Sequence, residues 1–337
     1  MDFELSDDQQ ALRDAARELL DDRAGSAQVR GVVDAGLAFD VELWKAMVDQ
    51  GWTAIAVPEA AGGVGLGWVE VAVLAEAVGA HVAPAPIVQS MIALDALRET
   101  SWVDGLLAGD VLACVGAAGQ REVVPYVPSA AVAVCRRGDD LVAVDLHEQR
   151  PPREPAMDVT REVGWLDPDA LTGARSLGGS ASLQRFLDRG ATAYAAELLG
   201  AAQHMLDESA EYAKERVQFD RPIGSFQAVK HRLADMLVDV EGMRSAVYWA
   251  AWCIAADHPD ASIAASTAKV WCSDAARRVV GSALQVHGGI GFTWEHDVHL
   301  YLKRVQLDAL AFGDAFTHRT RLAQLLRAKI AAGESVL

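Results

Sequence analysis

The sequence predicts an α+β protein that is mostly α-helical, with helices first, short strands in the middle and long helices last. A capping box opens a helix at Ser6, six of the eleven prolines fall within 125–168, and apolar residues recur at helical spacing after Leu183. Helix and strand signals in separate stretches are typical of α+β proteins. We therefore predict an N-terminal helical domain over 1–100, a reduced β domain over 101–182 and a C-terminal four-helix bundle over 183–337.

The composition narrows the classes of protein to which this chain can belong. With 337 residues, 51% of them hydrophobic, the chain can build a large core, which excludes a disordered protein. Its formal charge of −17 has the sign of nucleic-acid phosphates and anionic lipids, so neither nucleic acid nor a membrane is an expected partner. The acidic start of the sequence and four cysteines without a CxxC pair predict a reduced, cytoplasmic protein.

The N-terminal part is predicted to consist of helices joined by a glycine-rich turn. Ser6 and Gln9 have the spacing of a capping box, and further helices are expected over about 41–48 and 68–78. The loop over 58–67 is rich in glycine, but it fits neither the G-x-G-x-x-G pattern nor a Walker loop. We interpret it as a turn between helices.

The middle and the C-terminal parts differ in periodicity. Two Val/Ala-rich runs, 131–135 and 141–146, flank a short turn and predict a β-hairpin. Apolar residues then recur every three or four positions from Val229 to Val247, which predicts a helix with one apolar face. The other helices expected in the bundle cover 191–214, 261–283 and 297–332.

A first cluster of candidate binding residues lies between two of these helices. Arg216 can offer a planar fork of donors to phosphate oxygens, and Phe219 can offer a flat apolar surface. Gln227, at the start of the next helix, has a donor and an acceptor with which to contact a heterocycle. The alternative is an interhelical loop with a surface salt bridge.

A second cluster follows the next helix. Gly288 and Gly289 would let a ligand approach backbone N–H groups closely, with Gln285 beside them. A helix beginning near Glu295 would direct its positive end toward an anion. The alternative is a glycine C-cap and a turn between two helices, which accounts for the glycines but not for Gln285.

The histidines of this region do not predict a metal site. Glu295, His296 and His299, with His287 nearby, show no recognised zinc spacing, so we expect no metal. Three other histidines occur singly on helical segments, and we expect them to be hydrogen-bonded structural residues. They are His204, His231 and His318.

With both clusters in view, the sequence resembles an acyl-CoA dehydrogenase. The resemblance is strongest over 211–236, with Arg-x-x-Phe before Pro-Ile and then Phe-Gln, and over 283–304, with Gln-Val-His-Gly-Gly-Ile-Gly-Phe. It is most similar to short actinobacterial members that act on bulky CoA thioesters such as those of steroid side chains. It covers most of the chain and is weak in the middle.

The resemblance implies an N-terminal helical domain, a central β domain, a four-helix bundle and FAD held across a subunit interface. It assigns Arg216 and Phe219 to the flavin nucleotide of the neighbouring subunit and Gln227 to its adenine end. It assigns Gln285 and Gly289 to the pyrophosphate, with Gly288 giving access to the backbone. Asp220 stands where the family usually has glycine, which bears on the geometry of that turn.

The family reaction needs a carboxylate base beside the thioester. The two positions at which members of the family carry that glutamate fall on Phe312 and Gly190, and neither residue can take a proton. The nearby carboxylates are Asp188, Glu197 and Asp314, of which Asp314 is the weak catalytic candidate. The Thr-Glu-Pro and Trp-x-Thr segments that surround the flavin ring in the family are absent from 101–182.

Three hypotheses follow. The chain is a subunit of a heteromeric acyl-CoA dehydrogenase, an α2β2 assembly in which a homologous subunit supplies the glutamate. Alternatively, it is a self-sufficient dehydrogenase with a displaced carboxylate base, or a helical scaffold without flavin. For the first two, the expected partners are an acyl-CoA substrate and an electron-transfer acceptor.

Overall fold

In the computed structural model, which describes residues 4–335, helices precede and follow a small β region, as the sequence predicts. The helices are α1 (Asp7–Arg23), α2 (Ser26–Asp34), α3 (Val41–Asp49), α4 (Trp68–Ala80), α5 (Ile87–Leu97), α6 (Val103–Leu107), α7 (Ser180–Glu215), α8 (Gln227–Ala255), α9 (Ala261–His287), α10 (Val298–Leu310) and α11 (Ala315–Ala331). The strands are β1 (Ala113–Gly116), β2 (Glu122–Pro125), β3 (Val132–Arg137), β4 (Asp140–Asp145), β5 (Val163–Leu166), β6 (Arg175–Gly178), β7 (Val217–Gln218) and β8 (Arg221–Pro222). Within residues 4–335, no helix combines the length and apolarity needed to cross a bilayer.

The predicted N-terminal helices are present as α1, α3 and α4. The capping box of α1 is complete: Gln9 donates its N–H to the Ser6 hydroxyl, and the Ser6 N–H is donated to the Gln9 side chain. The loop over 58–67 forms a turn between α3 and α4. Helices α2, α5 and α6 were not predicted, and α6 lies within the stretch predicted as β. Helix α5 is buried on nearly every side, so it lacks the alternation that marks a helix in a sequence.

The predicted hairpin is β3 and β4, which pair antiparallel from Val132–Asp145 to Arg137–Asp140. Strand β1 joins β3 in parallel and β6 joins β4, so the main sheet has the order β1-β3-β4-β6. Strands β2 and β5 form a separate antiparallel pair. Strands β1 to β6 belong to the stretch predicted as β, whereas the short strands β7 and β8 lie between α7 and α8. The exact domain limits stay a prediction.

The C-terminal helices pack around α9, which contacts α7, α8, α10 and α11. The fourth predicted helix, over 297–332, differs from the structure because it is divided into α10 and α11. Phe312 and Gly313 have φ values of +57° and +96°, which no continuous α-helix can contain. Helix α7 begins at Ser180, eleven residues earlier than predicted. The four cysteines are free and buried, as expected (Cys114, Cys135, Cys253, Cys272).

Helices α4 and α7 cross in backbone contact. A Cβ atom at Gly79 would overlap the carbonyl oxygen of Glu197, and one at Gly200 would overlap that of Glu76. Each helix therefore contributes one glycine to the crossing, because only a residue without a side chain allows this approach. The crossing joins the N-terminal helices to the bundle within one apolar core.

Candidate functional site

The first predicted cluster lies on a short hairpin between α7 and α8. Strands β7 and β8 pair over two residues each, and Phe219 and Asp220 form the turn with φ values of +54° and +63°. Positive φ at both central residues is the signature of a type I′ hairpin turn. Aspartate tolerates this conformation better than most residues, so the turn forms although glycine is absent at position 220.

The functional side chains of this hairpin point into solvent. Phe219 is 87% exposed, and Arg216 and Gln227 are exposed as well. No described residue offers the guanidinium of Arg216 a hydrogen bond or an ion pair, so the alternative of a surface salt bridge at Arg216 has no support in residues 4–335. An arginine without a partner beside an exposed ring is free to contact an anionic ligand.

The second cluster forms the C-terminal end of α9. Gly288 has a φ of +63°, a conformation that favours glycine at the end of a helix. This residue therefore fits the alternative interpretation, a glycine C-cap. Gly289 differs, because a Cβ there would meet no atom within 4 Å and the chain's own packing does not call for glycine. Gln285 is exposed beside them. The backbone at Gly289 is therefore open to solvent on this side.

The helix expected near Glu295 begins three residues later, at Val298. Asp297 precedes it, and its carboxylate binds the guanidinium of Arg30, with Nε and Oδ1 2.8 Å apart. A carboxylate at the helix start opposes the binding of an anion there. The guanidinium of Arg30 offsets that charge, so the anion-binding role predicted for this helix end stays a prediction.

The two clusters lie at the same end of the bundle. The ring of Tyr212, one turn before the end of α7, stacks on the His287 ring at the end of α9, with centroids 4.5 Å apart. The carbonyl oxygen of Tyr212 also accepts the backbone N–H of Arg216 at 2.9 Å. Because His287 directly precedes Gly288, this stack connects the arginine of one cluster to the glycine loop of the other.

Large apolar side chains around this end are left exposed. Phe292 is 74% exposed and Trp294 is 49% exposed, in the segment that follows the glycine loop. Phe219, on the hairpin of the first cluster, is a third exposed ring at this end of the bundle, and the three rings are together called the exposed aromatic surface. Soluble monomers rarely leave such side chains grouped in water, and where they do the surface usually contacts a ligand or another protein.

The two positions to which the resemblance assigns the family's glutamate, Gly190 and Phe312, are in direct contact. A Cβ built on Gly190 in α7 would overlap the ring of Phe312, which lies in the break between α10 and α11. Phe312 is 6% exposed, and its ring packs against Phe186 and Tyr194 with centroids 5.2 and 5.6 Å away. The space beside Gly190 is therefore filled by an aromatic ring.

His318 fixes the backbone of this break. Its Nε2 is 2.8 Å from the carbonyl oxygen of Phe312, to which it donates a hydrogen bond, and the side chain is buried. Burial lowers the pKa of His318 to about 4, so the imidazole stays neutral. This agrees with the structural role predicted for it.

His204, another predicted structural histidine, stacks on the ring of Tyr301. The structure gives exposed His231 no contact that tests its role.

A cavity of about 590 Å³ adjoins Phe312, between the β region and the helix break. Asp314 lines it, but its carboxylate caps α11 by accepting the Thr317 N–H at 2.8 Å and the Thr317 hydroxyl at 2.7 Å. These bonds lower the pKa of Asp314, which makes it a weaker base. The structure thus gives Asp314 a clear structural task.

The same cavity contains an acidic residue that the sequence did not single out. Burial raises the pKa of Glu122 from 4.5 to about 7, although its Oε1 accepts the Ala118 N–H at 2.8 Å. A carboxyl group with a pKa near neutrality can exchange protons at physiological pH. The linear sequence shows no motif around Glu122. Only the fold places Glu122 in the wall of the cavity that Phe312 also lines.

The other two carboxylates considered as bases are committed to buried ion pairs. Asp188 binds Arg321 and accepts a hydrogen bond from the Ser262 hydroxyl at 2.7 Å. Glu197 binds two arginines, Arg161 and Arg304. It belongs to a buried ion network whose members are Asp158, Arg161, Glu197, Arg304 and Asp308, all with fully or almost fully buried side chains.

Comparison with known proteins identifies relatives along nearly the whole chain. The N-terminal domain of acyl-CoA dehydrogenases matches residues 6–100, and the C-terminal domain matches residues 178–326. Acyl-CoA dehydrogenase IpdE2 of Mycolicibacterium smegmatis is 34% identical over 313 residues, which cover 92% of this chain and 96% of the relative. Acyl-CoA dehydrogenase FadE27 of Mycobacterium tuberculosis is 32% identical over 333 residues, which cover 86% of this chain and 88% of the relative.

Two solved structures share the fold throughout. The ChsE4-ChsE5 complex from Mycobacterium tuberculosis contains a chain that is 29% identical, with a TM-score of 0.88 over 97% of this chain and 99% of that one. A variant of the Tcur3481-Tcur3483 steroid ACAD contains a chain that is 31% identical, with a TM-score of 0.86 over 96% and 99% of the two chains.

Proposed function

Because this chain belongs to the acyl-CoA dehydrogenase family, we propose that it is one subunit of a hetero-oligomeric, FAD-dependent acyl-CoA dehydrogenase. In this assembly, an α2β2 tetramer, the chain contributes contacts to the nucleotide end of FAD. A homologous subunit contributes the glutamate that removes the α proton of the acyl-CoA. The sites of this chain and its partner are then complementary rather than equivalent.

The observation that carries this proposal is the contact between Gly190 and Phe312. Both positions that hold the glutamate in the family lack a carboxylate, and the Phe312 ring occupies the space between them. Phe312 also keeps water and a thioester away from that space, since the ring is buried among Phe186 and Tyr194. A chain with this arrangement depends on another polypeptide for the base.

The residues at the end of the bundle fit a dinucleotide. Arg216 presents a guanidinium without a partner among the described residues, and Gly289 leaves its backbone open on a side where no atom lies within 4 Å of a Cβ. A diphosphate needs both features, a positive charge and accessible N–H groups. When bound, FAD accepts the hydride from the β carbon of the acyl group. The residues of this chain would hold and orient its charged end.

The exposed aromatic surface supports a second subunit at this end. Phe219, Phe292 and Trp294 would lose contact with water in an interface between subunits, which is a favourable change for each ring. Both similar structures are named for paired components, ChsE4 with ChsE5 and Tcur3481 with Tcur3483. We carry that pairing to this chain as part of the proposal.

The substrate class is proposed from the same relatives. The Tcur3481-Tcur3483 protein is described as a steroid ACAD, and its chain matches 96% of this one. We propose a bulky acyl-CoA such as that of a steroid side chain, with an electron-transfer acceptor that reoxidises the flavin.

Co-expression tests the proposal. The chain purified alone should be colourless and inactive, and co-expression with a homologue that carries the glutamate should give a yellow complex that reduces an artificial electron acceptor with acyl-CoA. In that complex, Arg216→Ala should lower the flavin content, whereas Arg17→Ala on the exposed face of α1 should leave it unchanged. Equal flavin content in the two variants would remove the role proposed for Arg216.

One observation favours a second candidate, the self-sufficient dehydrogenase. Glu122 lines the cavity beside Phe312, and its pKa of about 7 suits a base. In that case, the chain alone is yellow and turns over, and Glu122→Gln abolishes turnover while flavin stays bound. Loss of turnover in Asp314→Asn but not in Glu122→Gln would assign the base to Asp314. A protein that remains colourless in every combination would be the flavin-free scaffold.

A further inference from the structure

Glu208, His287 and His296 form a cluster of potential metal ligands beneath the glycine loop. They come from α7, from the end of α9 and from the segment before α10, and their ligand atoms all lie within 4.8 Å of one another. We propose that this cluster, called the His–Glu cluster below, binds a divalent transition-metal ion such as Zn²⁺.

His287 is already in the tautomer that a metal requires. Its Nδ1 lies 2.8 Å from the carbonyl oxygen of Ala283, so Nδ1 carries the proton and Nε2 carries the lone pair. The residue is only 4% exposed, and its Nε2 has no hydrogen-bond partner among the described residues. A buried nitrogen left without a partner has a cost in stability that a bound ion would remove.

Glu208 supplies the negative charge. Its Oε1 lies 3.6 Å from Nε2 of His296, and its Oε2 lies 3.6 Å from Nε2 of His204, too far for a hydrogen bond in either case. Two ligand atoms bound to one zinc ion at about 2.0–2.1 Å in tetrahedral geometry are separated by roughly 3.4 Å. The 3.6 Å between Glu208 and His296 therefore suits a shared ion better than a direct bond, and the ligand atom of His287 lies within 4.8 Å of both.

The donor set determines the class of ion. Two imidazoles and one carboxylate are the ligands of many zinc sites, whereas Mg²⁺ and Ca²⁺ prefer oxygen ligands alone. The Glu208 side chain is 31% exposed and that of His296 is 18% exposed, so an ion can enter from solvent. Binding would give up the long hydrogen bond, 3.4 Å, from the Val298 N–H to Nδ1 of His296.

The expectation of no metal rested on residues that are close in sequence. Glu208 precedes His287 by almost eighty positions, and only the packing of α7 against α9 brings them together. An ion here would tie three segments of the chain together directly below Gly288. The glycine loop that begins at Gly288 would then be held more rigidly.

Zinc titration of the purified protein tests the site, whether the chain is prepared alone or in complex. Calorimetry against Zn²⁺, with elemental analysis after dialysis, should give one ion per chain and a higher melting temperature, and Mg²⁺ should do neither. His287→Gln should weaken Zn²⁺ binding more than about 100-fold, since loss of outer-shell partners alone weakens metal sites 10–100-fold. The control His147→Gln, at an exposed histidine after β4, should bind as the parent does.

A second variant keeps the test decisive if His287→Gln does not fold. Glu208→Gln preserves shape and removes the charge, and it should also lose most of the Zn²⁺ affinity with an unchanged circular-dichroism spectrum. Equal Zn²⁺ binding by Glu208→Gln, His147→Gln and the parent protein would overturn the proposal. Absence of stoichiometric binding by the parent would overturn it as well.

Discussion

The ring of Phe312 covers Gly190 so closely that no side chain fits at position 190. The first residue lies in the break between α10 and α11 and the second in the N-terminal third of α7, so two distant segments fill one space. Under the proposed function these are the two positions of the family's glutamate, and the Phe312 ring leaves no room for a side chain at position 190. The space between the two segments is packed with apolar atoms.

Gly190→Ala should destabilise the protein by about 1–3 kcal/mol, because the added methyl group forces the Phe312 ring out of its place. In a Phe312→Leu background the same substitution should cost less, so a double-mutant cycle should show coupling between the two sites. Urea denaturation of the four proteins measures it. Gly281→Ala in α9 is the control: no atom lies within 4 Å of its Cβ, and alanine there should be neutral or stabilising. Equal stability of Gly190→Ala and Gly281→Ala would contradict the contact.

Gly79→Ala should be at least as damaging, with a loss of more than about 3 kcal/mol. The atom that the new methyl group meets is the Glu197 carbonyl oxygen, which belongs to a helix backbone and cannot rotate away as a side chain can. Thermal and urea unfolding should show that Gly79→Ala is far less stable than Gly281→Ala. A melting temperature within one or two degrees of the parent would show that α4 and α7 can separate without cost.

Arg304→Met should destabilise the fold by about 3–5 kcal/mol, because it leaves Asp158 and Glu197 as buried charges without this partner. The matched control is Arg319→Met. Arg319 pairs with Asp274 at the surface, where the expected loss is about 0–1 kcal/mol. Chemical denaturation at neutral pH distinguishes the two variants. If both lost the same small amount, the network would contribute nothing beyond ordinary surface pairs.

Glu122 should make stability fall as pH rises from about 4.5 to 7. Its pKa is about 7 in the fold and near 4.5 unfolded, so in this interval the native state binds more protons than the unfolded state. The contribution is complete below pH 4.5 and is lost as pH passes 7, with a total of at most about 3 kcal/mol. The plot of unfolding free energy against pH should be flatter for Glu122→Gln, because this variant lacks the contribution of the Glu122 carboxyl group. Parallel curves for variant and parent would show that the carboxyl group is not buried as described.

The sequence predicted what depends on local pattern. The capping box at Ser6, the hairpin of β3 and β4 and the long periodic helices α8 and α9 follow from neighbouring residues, and each is present. Helix α5 and the break at Phe312 were missed because neither is marked by a local pattern. Burial on all sides removes the alternation of polar and apolar residues, and the break is stabilised by His318, whose contact with Phe312 is tertiary.

The candidate site shows the same division. Arg216, Phe219 and Gly289 could be singled out because contiguous motifs carry them, and their role toward flavin stays a prediction. Glu122 and Glu208 could not be found in this way, because one acquires its raised pKa from burial and the other its histidine neighbours from helix packing.

The crossing of α4 and α7 has a mechanical consequence. Two helices without room for a methyl group between them can neither slide nor roll past each other unless both backbones lose contact. The N-terminal helices and the bundle should accordingly move as one rigid unit during turnover. Any motion that opens the 590 Å³ cavity should then occur in the segments that line it, which include β2 and the break between α10 and α11, and hydrogen exchange could time it.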